Sequence, residues 1–228
     1  MRTTLPLFPL QTVLLPGAHL PLHIFEPRYR QLTIDLVNET LPDHLFGVIA
    51  IRTPLVREVD TVEHLHPVGC AARLRQAKRL PDGRFDIVTT GHRRFRLLDL
   101  DAQSAPYLLG TIEWLDDLPL PEASEEPTAR LSELAIGAYR RYGEVAWEQE
   151  GWRAPPPEST TGELAYLLAA DCLLPLADRQ ALLEDRHPLR RLSTVCRLLY
   201  REAGLLAALR AVPAPIVEIN SDARPSLN

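Results

Sequence analysis

Prolines at positions 6, 9, 16, 21 and 27 punctuate the apolar run LPLFPLQTVLLPGAHLPLHIFEPRYR, and no other feature constrains the fold of this chain as tightly. Each fixes φ and removes a backbone donor, so the segment reads neither as a continuous helix nor as a membrane anchor. It reads as strands that follow sheet edges and turn repeatedly, a path that a compact β-barrel accommodates. At Glu26-Pro27 the period changes: proline takes the first helical position, and Tyr29, Leu32 and Leu36 follow at helical spacing with Ile34 and Val37 widening the stripe. The spacing predicts a helix over 27–39, stopped before Leu41-Pro42.

Downstream the signals are those of short strands. LFGVIAI, at 45–51, is a wholly apolar strand of the buried kind. Over 68–80 the pattern alternates, with Val68, Cys70, Ala72, Leu74 and Leu80 on one parity and Arg73, Arg75 and Arg79 on the other. Pro81-Asp82-Gly83-Arg84 is a turn, because proline sets φ and glycine accepts φ above zero. It joins that strand to 85–90 as an antiparallel hairpin. Gly91 is expected to break a further turn before strands over 93–100 and 107–115. One helix among many strands, without βαβ repetition, predicts an α+β chain: a mixed β-barrel with one inserted helix, followed by an α-helical bundle.

The boundary is LPLPEASEEP at 118–127, and everything after it has helical period: 128–148, 161–173, 175–184 and 188–211, with a proline loop at 155–157. Leu192, Cys196, Leu199, Ala203 and Leu206 form the stripe of the last helix, which needs partner helices to cover it. The expected organisation is a barrel subdomain over 1–117, an acidic proline-rich linker over 118–127, a bundle over 128–211 and a mobile tail over 212–228. A chain of 228 residues suffices for two such subdomains.

The net charge of −5 gives no global attraction to nucleic acid or anionic lipid. Charge is nonetheless uneven. Between Cys70 and Arg96, Arg73, Arg75, Lys78, Arg79, Arg84, Arg93, Arg94 and Arg96 face only Asp82 and Asp86, whereas Glu113, Asp116, Asp117, Glu122, Glu125 and Glu126 stand unopposed just beyond. Cys70, Cys172 and Cys196 are odd in number and set in apolar sequence, as in reduced cytoplasmic proteins. Met1-Arg2 before an apolar start lacks a small-x-small cleavage site, and no apolar run reaches the roughly 18 residues of a membrane span. A cytoplasmic setting without a membrane role is the expectation.

Candidate chemistry is sparse. No GxSxG turn, P-loop or CxxC pair occurs, and the single lysine, Lys78, sits in a strand where its amine is poorly desolvated. His19 and His23 would lie roughly 13 Å apart on an extended chain, too far to share an ion. No catalytic residue, metal ligand or cofactor is therefore assigned. Glu26 and Pro27 are read as structural, the carboxylate meeting the positive end of the helix that Pro27 opens and holding a nearby arginine. Tyr29 belongs mainly to the helix's core stripe.

The opening segment resembles the signature of the Lon N-terminal, PUA-like domain family, shared by Lon proteases, cereblon-type adaptors and freestanding bacterial proteins. The similarity continues through FGVIAI, VGCAARL, DGRFDIVTTGHRRFRL and PLADRQALLEDRHPLRRLSTVCRLLYRE, to about residue 205. It implies a barrel followed by a helical bundle, acting in substrate recognition. A Lon ATPase needs a P-loop and its protease a serine–lysine pair; neither is found in these residues, so the resemblance is to the recognition part. It implies a non-catalytic module binding unfolded or partly apolar polypeptides in quality control or regulated proteolysis, with an ATP-dependent protease as candidate partner. Arg28, Tyr29, Arg94 and Phe95 are the candidate contacts. The alternative is RNA binding by the basic hairpin 70–96, against which stands its thin aromatic content: Phe85 and Phe95 share the inward parity.

Overall fold

The structure is a computed structural model that describes residues 2–52, 58–121, 125–146, 155–156 and 158–209. Among these, six strands and five helices are present: β1 Arg2–Leu10, β2 His19–Ile24, α1 Pro27–Val37, β3 Leu45–Ala50, β4 Val68–Arg79, β5 Phe85–Asp101, β6 Leu109–Trp114, α2 Glu125–Ala146, α3 Thr161–Ala170, α4 Leu176–Glu184 and α5 Pro188–Leu209. The chain is thus α+β. The helix α2 begins inside the expected linker. The tail 212–228 lies outside the described residues, as does part of the proline loop at 155–157.

The strands join in the order β2-β5-β4-β3-β1-β6, and β6 also pairs with the second half of β5, so the sheet curls back on itself. Among the described strands only β1 and β3 pair in parallel. The prolines of β1 fit because the strand changes partner midway: residues 2–6 are in register with β6 and residues 7–10 with β3. Pro6 and Pro9 thereby each stand in a half-strand with one registered neighbour, although β1 is interior in the strand order.

The expected turn at Gly91 is not a turn, and this corrects the division of residues 85–100 into two strands. β5 runs unbroken through seventeen residues. Gly91 lies within it because the backbone of the 15–18 loop crosses there, with Gly91 N–H donating to Ala18 O at 2.8 Å and Gly17 N–H to Gly91 O at 2.9 Å. The hairpin before it is as read: Gly83 takes φ of 82°, and Leu80 N–H donates to Arg84 O at 2.8 Å.

Two cores result. Leu5, Leu7, Leu45, Ile49, Ala71, Phe95, Leu97 and Ile112 fill the inside of the curled sheet. The larger core starts on the other face of β4 and β5, at Cys70, Ala72, Phe85 and Ile87. It passes through Tyr29, Leu32 and Leu36 of α1 and continues into Tyr139, Tyr142, Leu192, Val195 and Leu199 of the helices. Sheet and helices therefore share one apolar layer.

Helix α3 starts on a capping box. Thr160 Oγ1 accepts from Glu163 N–H at 3.3 Å while the Glu163 carboxylate accepts from Thr160 N–H at 2.9 Å. Those hydrogen bonds hold the Glu163 carboxyl below its usual range. Thr160→Ala is expected to cost about 1 kcal/mol and to lower the melting temperature by about 2–4 °C. An unchanged melting curve would show that the box adds nothing to this helix.

Candidate functional site

Three stretches of the opening segment converge on one groove of about 320 Å³. Phe8, Pro9 and Leu10 come from the end of β1, Leu22 and His23 from β2, and Phe25, Glu26, Arg28 and Tyr29 from the entrance to α1; Ile51, Val59 and Leu108 complete the wall. The convergence is local chemistry. Pro27 disfavours helical backbone at the residue before it, so Glu26 stays extended at φ −67°, ψ 135° and the chain swings from β2 into α1.

Tyr29 forms the floor. Only 4% exposed, its ring stacks on Phe8 with centroids 3.9 Å apart, and burial pushes its phenol up to about 12 against the opposing pull of Arg28. The Arg28 guanidinium lies 4.8 Å from the Tyr29 ring centre, a cation–π contact. Its Nε also donates to Glu26 Oε2 at 3.0 Å. The Glu26 carboxylate makes no cap hydrogen bond to the helix and instead holds this arginine across the rim. Beside them Phe25 is 61% exposed, an aromatic side chain open to water at the mouth. His23 behind it donates from Nδ1 to Asp86 Oδ1 at 2.7 Å and accepts at Nε2 from Arg84 Nη1 at 3.2 Å.

Of the four candidate contacts, Arg28 and Tyr29 meet here and Arg94 and Phe95 do not. Phe95, fully buried, fills the sheet interior, its ring packed over the glycines at 47 and 69, where a Cβ would come within 2.8 and 2.4 Å of Cζ. Arg94 is 4% exposed and points the other way, into the junction with the helices. The placement corrects both as surface contacts: β5 is covered on two faces at this point, so successive residues are both inside.

The junction is a charge network. Arg94 donates to Asp117 Oδ1, to Leu183 O at 2.9 Å and to Asp185 O at 2.8 Å. Arg191 of α5, with no exposed surface, donates to both Asp117 oxygens at 2.9 and 2.6 Å, to Asp185 O at 2.7 Å and to Gly162 O at 3.1 Å. Its guanidinium lies 4.2 Å from the Tyr166 ring centre. These contacts join β5, the segment after β6, α3, the end of α4 and α5. The arrangement is a clamp between sheet and helices rather than a recognition surface.

Sequence reasoning missed Phe25, although a signal existed. The alternation of β2 puts Leu20, Leu22 and Ile24 on one parity, so Phe25 joins His19, Pro21 and His23 on the exposed set. The basic hairpin, for its part, is less open than its composition implies. Arg94 is buried, Arg93 reaches Asp116 at 2.6 Å, Arg84 reaches Asp82 at 2.6 Å, and both Phe85 and Phe95 are interior. Among the described residues no group of three or more His, Cys, Asp or Glu could hold a metal ion. No helix of the described residues is long and apolar enough to cross a membrane.

Comparison with known proteins adds a lineage to this geometry. Residues 4–201 match the model of the ATP-dependent protease La (LON) substrate-binding domain. Lon protease 2 of Myxococcus xanthus is 30% identical over 206 residues, which span 89% of this chain and 24% of that protein. Lon protease 1 of Thermus thermophilus is 29% identical over 223 residues, 96% of this chain and 27% of that protein. The chain thus spans about a quarter of the length of these relatives. Among solved structures, the N-terminal domain of Mycobacterium avium complex Lon protease covers 89% of this chain with a TM-score of 0.62 at 17% identity. The Lon N-terminal domain protein from Xanthomonas campestris covers 92% with a TM-score of 0.56 at 23% identity. At those identities the two structures speak to the fold.

Proposed function

Because the chain belongs to the ATP-dependent protease La (LON) substrate-binding domain family, we propose that it is a non-catalytic module that recognises unfolded or partly apolar polypeptide through the groove at the start of α1. The matched region is the substrate-binding domain of that protease. The same reading takes the curled sheet as a PUA-like barrel up to about residue 117 and the helices beyond it as a bundle. It places the module in the cytoplasm, in quality control or regulated proteolysis, with an ATP-dependent protease as the partner that receives its clients.

The observation that carries the reading is Phe25. An aromatic side chain held open beside an apolar floor, with Arg28 and Glu26 satisfied by each other at the rim, suits an incoming chain with an apolar side chain for the floor and a polar backbone for the rim. Arg28 and Tyr29 are then contact residues, Glu26 the residue that orients Arg28, and Pro27 the residue that sets the approach.

The test is binding of a permanently unfolded, reduced and carboxymethylated protein, read by fluorescence anisotropy. Phe25→Ser is expected to weaken binding roughly 10-fold, the range of an interface anchor, while leaving the melting temperature within a degree or two. Folded protein that binds no unfolded chain, or a Phe25→Ser variant as tight as the parent, would overturn the proposal.

A further inference from the structure

We propose that the solvent face of the β2-β5-β4 sheet carries a second site, for a phosphate monoester dianion, formed by Arg73 and Arg75 of β4, Thr90 and His92 of β5 and His19 of β2. This goes beyond polypeptide recognition and does not depend on it.

The strand register sets His19, Thr90 and Arg73 side by side across three strands, a span of about 10 Å. Two sets of side-chain contacts lie along this row. Thr90 Oγ1 lies 3.4 Å from His19 Nδ1 and 3.4 Å from Arg75 Nε, and Arg73 Nη2 lies 3.5 Å from His92 Nε2. Arg75 stands at the register shift between Leu74 and Gln76, the kind of irregularity that re-aims a side chain.

What distinguishes this row is missing compensation. Among the described residues neither Arg73 nor Arg75 belongs to an ion pair. The neighbouring row of the same face supplies its own acids: His23 meets Asp86 at 2.7 Å, Arg84 meets Asp82 at 2.6 Å, and Lys78 stands opposite Asp86. Protection of open strand edges accounts for Lys78 and Arg79 at the hairpin tip. It does not account for Arg73, which is paired on both sides, with Leu45 of β3 and Thr90 of β5.

His92 reports the same field. Partial burial, followed by Arg73, Arg93 and Arg75, holds its imidazole below the ordinary range, and only Asp43 acts in the opposite direction. Two guanidiniums that pair with no carboxylate among the described residues match a dianion, whose oxygens can take charge-assisted hydrogen bonds from both. The row contains no phenylalanine, tyrosine or tryptophan, the large rings on which bases stack best, which favours a monoester over a nucleic-acid diester.

Inorganic phosphate titrated into the whole chain at pH 7.5, followed by imidazole NMR, tests the site against chloride at equal ionic strength. A saturable shift of the His92 and His19 resonances is expected, with a rise in the His92 titration midpoint. The Arg73→Gln/Arg75→Gln variant is expected to lose at least 10-fold in affinity with an unchanged melting curve. Arg75→Gln alone, at an exposed position, serves the same purpose if the double variant melts early. Equal shifts with chloride, or full binding by the variants, would overturn the proposal. Glucose 6-phosphate and a phosphoserine peptide distinguish the source: equal affinity assigns a free monoester, and a tighter peptide assigns one carried on polypeptide. A single-stranded RNA that binds more tightly than either, with a steep salt dependence, would overturn the monoester in favour of nucleic acid.

Discussion

Asp117→Ala is expected to destabilise the fold by about 3–5 kcal/mol, the cost of leaving buried cations without their counter-charge. Among the described residues Asp117 alone supplies carboxylate oxygens to both Arg94 and Arg191, one 4% exposed and the other not exposed at all. Without it the two guanidiniums keep only carbonyl acceptors, at Gly162, Leu183 and Asp185, and repel each other across the junction. Urea unfolding measures the loss as a lowered midpoint, and a melting temperature reduced by about 10 °C accompanies it. Asp117→Asn, which keeps one oxygen acceptor, is expected to fall between the variant and the parent. A loss below about 1 kcal/mol for Asp117→Ala would mean that the helices are held to the sheet by apolar contact alone.

Gly91→Ala is expected to be at least as damaging, at about 3 kcal/mol or more, with soluble yield falling alongside. A Cβ at this position would stand 2.1 Å from Leu15 O, 2.9 Å from Leu15 C and 3.2 Å from Pro16 Cα. All three are backbone atoms, so no side chain can swing aside. The crossing loop would have to lift, breaking both hydrogen bonds that tie it to Gly91. Gly137→Ala is the matched control: it lies in α2 with nothing within 4 Å of its added Cβ, and alanine there is expected to stabilise by about 0.5–1 kcal/mol. Gly91→Ala with a parental urea midpoint would show that the loop is not seated where the hydrogen bonds place it.

These two positions also mark how far the residues could be read in isolation. Gly91 carries a turn signal in sequence because glycine is the residue of turns; it is equally the residue of close backbone approach, and what approaches is Leu15, far away along the chain. Arg94 reads as a solvent-face arginine until Asp117, Leu183 and Asp185, 23 to 91 residues away along the chain, are brought around it. Arg28 and Tyr29 were legible as candidates because Glu26, Pro27 and the groove they help to form lie within a few residues of them. Phe25 was available on the same strand parity, yet an apolar residue next to an inward isoleucine looks like core until the wall opposite is seen to be open.

Proline and glycine dihedrals and the apolar period act over neighbouring residues, so the punctuated strands, the helix that starts at Pro27, the turn at Gly83 and the helical half can be read from local stretches of the chain. Which arginines are buried in a clamp, which aromatic stands open at the groove and which sheet-face cations have no acidic partner among the described residues emerge only when the chain is packed. Burial, desolvation and ion pairing depend on what distant elements bring to a side chain, and that is a property of the packed chain rather than of any stretch of it.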